Sequence, residues 1–350
     1  MKQKRIYNGI DLAKLLSAIC IVLLHTIETT AWYPCEVKFV MTRFAVPFFF
    51  ITSGFFFYKG LKRSDCEKEY FINYEKHLIF LFVLWAVLIY APATIGTYAK
   101  QNLELWKFLL VYFRRVFVIG PGPYWYLMAM IWSTGFLYYC EKKRSDILII
   151  LGILVGLVLM ILYTCFQGIL GSVTIFAYFF KLTYIIFSFE FNFIMYGIPF
   201  MGIGYLIAKK DIKITQKKSI LGIIIFTVLR VIEYNLSIIF YNVDFFKSDS
   251  ISIAYIGQAI SIFLFAKEWN ISISRENSLL IRKFSTWLYL THAIILYNIM
   301  NPILDHFTNI DTYSGKMVFP KVLIVLVVCM LLFLLIKKLN NRYLNKLIDG

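Results

Sequence analysis

Long apolar runs, separated by short polar segments, dominate the chain from end to end. Most of these runs are long enough to cross a hydrocarbon core of roughly 30 Å as a helix that rises about 1.5 Å per residue. We therefore predict an all-α fold, a polytopic transmembrane helical bundle of about ten helices, near 10–28, 38–59, 77–97, 124–140, 146–165, 191–208, 218–241, 250–267, 284–301 and 318–338. The stretch 169–189 contains Lys181 and is either an eleventh span or a re-entrant or interfacial segment.

The polar segments between the runs are rich in lysine and arginine, and this bias predicts the orientation. With the N-terminus in the cytoplasm, cytoplasmic segments collect 24 basic residues and the opposite side nine. Because cytoplasmic loops carry the excess of basic residues, we expect both termini in the cytoplasm and a multi-pass protein of the cell membrane, with membrane lipid as a partner. The first apolar run lacks a small-residue cleavage site, so we expect it to stay as an uncleaved anchor.

Composition excludes a soluble protein, because 60% of the residues are hydrophobic and only 16% are charged. The net charge of +16 follows from membrane orientation, so we predict no nucleic-acid partner. Spans and short loops use up the 350 residues, which predicts a single integral membrane domain over 1–350. The six cysteines show no metal-binding spacing, and no metal is expected.

Ionisable residues inside apolar spans are costly, so each is a candidate for function. On the first helix, Lys14 and His25 are eleven residues apart, which places them on one face about 16 Å from each other. Imidazole titrates near neutrality, so His25 is a candidate general base for an acceptor hydroxyl. The alternative is that His25 only forms hydrogen bonds at the outer interface while Lys14 reaches the headgroups.

The second helix carries Arg43 near its outer end. Arginine keeps its proton, so a buried one needs an anionic or carbonyl partner; a substrate phosphate or carboxylate would serve, and so would an ion pair with Glu28 or Glu233. Pro47 and Gly54 on the same helix are expected to loosen it and to allow close backbone approach.

Two later spans also carry ionisable groups. Arg230 and Glu233 are three residues apart and are most simply a structural pair. His292 lies at mid-depth of the ninth span, where a lone histidine is more often a packing group than a catalyst.

Four motifs in order along the chain resemble the acyltransferase 3 family of ten-helix membrane proteins. They are Asp11-x-x-Lys14 with His25 eleven residues on, Arg43-Phe-Ala-Val-Pro47-Phe-Phe-Phe-x-x-Ser53-Gly54-Phe, Trp125-Tyr126-Leu127 and Tyr289-Leu-x-His292. The resemblance implies transfer of an acyl group, often acetyl, from a cytoplasmic acyl-CoA, which is thus the expected donor, to a surface glycan or lipid-linked sugar. It implies His25 as the catalytic base. Together with Glu233, an ionisable residue within a span, the motif residues Lys14, Arg43, Ser53, Trp125 and His292 are the candidate substrate-binding residues.

The chain departs from the family at three places. Lys14 stands where the family usually has an arginine, which keeps the charge but loses the bidentate fork. The basic pair near the start of the third helix is poorly matched by Lys76-His77-Leu-Ile-Phe80, and Pro123 occupies the position of a histidine that often precedes the Trp-Tyr-Leu motif.

We therefore predict a membrane O-acyltransferase. The arginine motif of the second helix also resembles the membrane domain of the serine racemases of vancomycin resistance, which is linked to serine uptake. This leaves a transporter for a small polar solute such as an amino acid as the alternative, although the two halves show no matching broken helices. A scaffold that organises other envelope enzymes is the third hypothesis.

Overall fold

The computed structural model describes residues 7–28, 37–90, 104–166, 170–187, 192–241, 253–307, 314–339, 341 and 347. No β-strand occurs in these ranges, and their regular structure is helical, which confirms the predicted all-α class. The α-helices are α1 (Asn8–Glu28), α2 (Ala45–Leu61), α3 (Glu67–Leu81), α4 (Leu105–Phe113), α5 (Trp125–Lys142), α6 (Asp146–Cys165), α7 (Thr174–Phe187), α8 (Ile198–Lys209), α9 (Gln216–Tyr241), α10 (Ala254–Glu268), α11 (Arg275–Ala293), α12 (Asn301–Phe307) and α13 (Val318–Leu339). Wider π-helical segments lie at Val37–Thr42, Phe82–Tyr90, Arg114–Ile119, Phe193–Gly197 and Ile294–Met300.

Six helical segments of the described chain are long and apolar enough to cross a membrane. They are Asn8–Ile27, Val40–Leu61, Glu67–Tyr90, Asp146–Cys165, Gln216–Leu236 and Gly315–Leu339. They correspond to the first, second, third, fifth, seventh and tenth predicted spans, while the other four coincide with helices that are shorter or more polar. A membrane protein with several spans is thus supported, and the count of ten and the cytoplasmic termini stay predictions.

Two stretches outside the six long segments also contain helix. The helix described within 169–189, α7, has 14 residues and extends roughly 21 Å, and the choice between an eleventh span and a re-entrant or interfacial segment stays a prediction. The segment between the third and fourth predicted spans contains α4 and the π-helical segment that follows it. Gly120 and Gly122 adopt φ values of 88° and 52°, which a helix cannot accommodate, so the chain turns before α5.

The described chain divides into two compact units. The first comprises 1–49, 213–235 and 254–350, and the second comprises 50–212 and 236–253. The single integral membrane domain over 1–350, predicted from the sequence, stays a prediction.

In the first unit, α1 packs along α10, α11 and α13. Asp11 contacts Ser278 near the start of α1 and α11, and His25 contacts His292 near their ends, so the two helices run parallel. The predicted topology requires this direction for the first and ninth spans. Polar contacts also join the neighbouring helices, since the Trp287 indole donates to the Cys329 carbonyl at 2.9 Å.

In the second unit, glycines allow α2 and α8 to approach closely. A Cβ atom at Gly54 would overlap the Met201 carbonyl oxygen, and one at Gly204 would overlap the Ile51 carbonyl oxygen. The close backbone approach predicted at Gly54 is therefore confirmed. Small residues at helix contacts are typical of membrane proteins, where packing rather than the hydrophobic effect holds helices together.

An ion cluster around Glu141, which directly follows the predicted span 124–140, joins the ends of α5 and α8. The Glu141 carboxylate accepts hydrogen bonds from Lys209 at 2.8 Å and Tyr205 at 2.6 Å, and it pairs with Lys62 at 2.6 Å. Lys209 also pairs with Asp146 at the start of α6. Burial alone would raise the pKa of Glu141, but the hydrogen bonds from Lys209, Lys62 and Tyr205 outweigh it and lower the pKa to about 2.

The glycine contact predicts a specific destabilisation. Gly54→Ala should lower the unfolding temperature of the detergent-solubilised protein, because the added methyl group forces α2 and α8 apart. Alanine has a helix propensity about 1 kcal/mol more favourable than that of glycine. A lower unfolding temperature would therefore report the steric contact and not the helix propensity. Gly135→Ala is the matched control, since no described atom lies within 4 Å of a Cβ there. Equal unfolding temperatures for the two variants would contradict the close contact.

The ion cluster predicts a pH-dependent contribution to stability. The pKa of Glu141 lies below its ordinary value of 4.5, so its contribution is fully present above about pH 4.5 and is lost as the pH falls towards 2. Glu141→Gln should therefore lower the unfolding temperature at pH 7, and the gap to wild type should narrow as the pH falls. Glu69→Gln, which removes an exposed carboxylate of α3, serves as the control. A gap that stays constant down to pH 3 would refute the assignment.

Candidate functional site

Two histidines and a tyrosine meet at the end of the α1 and α11 pair. The rings of His25 and His292 stack with their centroids 5.2 Å apart and their planes 29° from parallel. The Tyr297 hydroxyl lies 3.2 Å from His25 Nδ1. His292 is fully buried, whereas His25 and Tyr297 are half-buried. We refer to His25, His292 and Tyr297 as the histidine cluster.

The hydrogen bonds of the histidine cluster constrain its protons. His292 Nδ1 lies 2.7 Å from the Tyr289 carbonyl oxygen, and a carbonyl only accepts, so this nitrogen carries a proton. A phenol hydroxyl both donates and accepts, so Tyr297 accommodates either tautomer of His25. When His25 donates from Nδ1 to Tyr297, its Nε2 keeps the lone pair that a general base needs.

A second polar cluster lies at the opposite end of the same helix pair. The carboxylate of Asp11 is 1% exposed and accepts a hydrogen bond from Ser278 at 2.6 Å. Arg282 donates to both carboxylate oxygens at 2.9 Å, from Nε and Nη2. Lys14 lies one turn along α1, close enough for Asp11 and Arg282 to act on its charge. We refer to Asp11, Lys14, Ser278 and Arg282 as the aspartate cluster.

Arg43 and Glu233 lie elsewhere in the first unit. Arg43 is buried and follows the π-helical segment Val37–Thr42 directly, just before α2. Three residues before Arg43, the carbonyl of Val40 accepts a hydrogen bond from Gln258 of α10 at 3.2 Å. Glu233 accepts from the backbone N–H of Ala254 at 3.1 Å, at the start of α10. Arg230, its predicted partner, lies over the Tyr255 ring at 5.6 Å. Both members of the predicted pair thus contact α10.

Ser53 and Trp125 belong to the second unit. The Ser53 hydroxyl lies 3.0 Å from the Tyr126 hydroxyl, which joins α2 to α5. Trp125 packs against Phe50 and Tyr196, with ring centroids 5.8 and 5.6 Å apart. Aromatic rings of α5 thus pack against α2 next to the contact between Ser53 and Tyr126.

The structure brings some predicted site residues together and keeps others apart. His25 and His292 are in contact, while Lys14 is separated from His25 by eleven helical residues, about 16 Å, as its spacing predicted. Their roles stay predictions, because geometry alone tests none of them.

Sequence reasoning missed Tyr297, Ser278 and Arg282. Tyr297 lies in the π-helical segment Ile294–Met300, whose wider turns bring residues five apart, such as His292 and Tyr297, near one face. A periodicity of 3.6 residues does not place them together. Arg282 precedes the predicted span 284–301 and was assigned to a cytoplasmic loop. A serine and an arginine four residues apart before an apolar run were the available signal.

Comparison of the sequence with known proteins identifies its family. The sequence model of the acyltransferase 3 family, described as an acyltransferase domain, matches residues 7–346. An amino-acid racemase from Enterococcus faecalis is 30% identical over 151 residues, which are 41% of this chain and 20% of the racemase. The chain thus spans about a fifth of that relative's length. No solved structure matches the chain.

The family match includes every residue of both clusters and extends over nearly the whole chain. It also agrees with the resemblance carried by the four motifs. This protein therefore belongs to the acyltransferase 3 family.

Proposed function

We propose that this protein is a membrane O-acyltransferase that moves an acyl group, most simply acetyl, from acyl-CoA to a hydroxyl of a cell-surface glycan or lipid-linked sugar. The observation that carries the proposal is the histidine cluster, in which Tyr297 and His292 hold His25 in a chain of an acyltransferase family. We place the protein in the cell membrane with both termini in the cytoplasm, where acyl-CoA is made. Membrane lipid surrounds it.

His25 acts as the general base in the proposed reaction. Its Nε2 takes the proton of the acceptor hydroxyl while the hydroxyl oxygen attacks the carbonyl carbon of the thioester. The carbon–sulfur bond then breaks, and the leaving thiolate takes the proton from His25. The products are an ester and free coenzyme A, and the base returns to its starting form.

Tyr297 is a positioning residue for this base. Its hydroxyl accepts the Nδ1 proton of His25 and so keeps the lone pair on Nε2. The buried His292 ring supports the other face of His25.

Other residues are assigned to substrate binding in the same proposal. Arg43 offers a buried guanidinium that would steady negative charge on the acceptor or on the reacting oxygen. Ser53 and Trp125 offer a hydroxyl and an aromatic face of the kind that bind sugars. Glu233 acts through the start of α10, which it caps.

A transporter of a small polar solute is the second candidate. The observation in its favour is the likeness of 151 residues to part of a protein named an amino-acid racemase, which would make an amino acid the solute. The same clusters of charged residues would then line a permeation path.

Loss of the base predicts loss of transfer. His25→Ala should reduce acyl transfer by about 10²–10⁴-fold, the usual contribution of general-base catalysis. The measurement is release of free thiol from acetyl-CoA by membranes that contain the acceptor glycan, together with mass spectrometry of that glycan. His306→Ala, which removes an exposed histidine of α12, is the control and should keep full activity. Full activity of the His25 variant, or amino-acid uptake into proteoliposomes without acetyl-CoA, would overturn the proposal.

Loss of the Tyr297 hydroxyl predicts a change in kcat and in the pH profile. Tyr297→Phe should lower kcat by roughly tenfold while the KM for acetyl-CoA stays within about twofold, because only the orientation of the base is lost. The acid limb of the pH–rate profile should move, since the hydrogen bond to His25 Nδ1 is gone. The control is Tyr178→Phe, at an exposed tyrosine of α7. A lower kcat with an unchanged pH profile would mean that Tyr297 only supports packing.

A further inference from the structure

Asp11 binds the Arg282 guanidinium but occupies only two of its three nitrogen atoms. Its Nε and Nη2 bond the carboxylate, whereas Nη1 makes no hydrogen bond to any residue that the structure describes. About a third of the side chain, 35%, is exposed, against 1% for Asp11. A buried carboxylate thus orients a guanidinium whose remaining edge is accessible.

Lys14 adds a second positive charge beside this guanidinium. Within the described residues its ammonium group forms no ion pair or hydrogen bond, although Asp11 and Arg282 both act on its charge. The formal charges of Arg282, Lys14 and Asp11 are +1, +1 and −1, so the aspartate cluster has a formal net charge of +1. An oriented guanidinium with a nearby ammonium group is well suited to a phosphate, which accepts bidentate hydrogen bonds from arginine.

The distance between the two clusters suits a long ligand. Lys14 and Arg282 precede His25 and His292 by eleven and ten helical positions, which correspond to about 16 and 15 Å. A ligand with phosphate groups at one end and a reactive thioester at the other would lie along the parallel helices α1 and α11. Acyl-CoA has this form, because a flexible arm separates its phosphates from its thioester.

We propose that Arg282, oriented by Asp11 and Ser278 and assisted by Lys14, binds a phosphate group of the acyl donor. This inference rests on the proposed function. In this chain Arg282 supplies from α11 the guanidinium fork that position 14 of α1 lacks. The departure at Lys14 is therefore compensated from the neighbouring helix.

The test compares coenzyme A with pantetheine, which has the same thiol arm but neither the phosphates nor the adenosine. Because the two ligands differ in the whole phosphorylated adenosine, the comparison of protein variants isolates the contact made by Arg282. Binding of each to the full-length protein in detergent is measured by calorimetry, for wild type and for Asp11→Asn/Arg282→Gln. The double substitution removes both charges together, so it leaves no buried carboxylate without its partner. Lys337→Gln, which removes an exposed cation at the end of α13, is the control.

We expect coenzyme A to bind wild type at least about tenfold more tightly than pantetheine, which is the usual size of a charge-assisted contact. The double variant should lose most of this difference through weaker binding of coenzyme A, while its affinity for pantetheine stays within about twofold. The control variant should behave as wild type. An unchanged difference in the double variant, or equal weakening of both ligands, would overturn the inference.

A lipid headgroup presents the same phosphate chemistry, so one arm of the experiment separates the two sources. Phosphatidylglycerol bound to the purified protein is counted by native mass spectrometry. Loss of bound lipid in the double variant, with the affinity for coenzyme A intact, would assign the cluster to lipid and overturn the donor role.

If wild type transfers acetyl groups but binds coenzyme A independently of Arg282, only this inference fails. If wild type neither transfers nor prefers coenzyme A, the proposed function fails with it.

Discussion

The buried carboxylate of Asp11 sets the register of the helix pair on which the candidate chemistry depends. An unpaired carboxylate at 1% exposure would cost several kcal/mol, and Ser278 and Arg282 remove this cost only at one alignment of α1 and α11. Asp11 and Ser278 are 267 positions apart, and so are His25 and His292. The alignment fixed at one end is therefore kept over 14 residues, about 21 Å, as expected for parallel helices that wind around each other with a seven-residue repeat.

The sequence predicted which segments are helical far better than which helices meet. Apolar length identifies a span without reference to any partner, so five of the six long apolar segments agree with their predicted positions within several residues. The third, Glu67–Tyr90, begins ten residues before its predicted start at 77. The face shared by Lys14 and His25 followed from helical periodicity alone. Periodicity does not say which helix lies opposite that face, so the contribution of α11 was not predicted, apart from His292 as an isolated residue.

Two specific residues show why prediction of the site was incomplete. Tyr297 reaches His25 through a π-helical segment, and apolar sequence does not reveal where a helix widens. Arg282 was predicted to lie in a cytoplasmic loop, because a basic residue beside an apolar run is first of all a sign of membrane orientation. In the structure, Arg282 lies in the first half of α11 and neutralises the buried Asp11 of α1, so it also holds two helices together.

Close backbone contacts and buried polar groups both hold the helices together, and the buried polar groups bear on where chemistry is expected. Lipid offers no hydrophobic gain for helix association, so helices need close packing or polar contacts. The second unit uses backbone contact at Gly54 and Gly204. The first unit uses buried polar groups, among them Asp11 and Gln258. Such groups impose a fixed alignment and also place ionisable side chains inside a membrane protein at bearable cost. The contacts that align α1 with α11 thus also neutralise the buried Asp11 carboxylate and orient the Arg282 guanidinium.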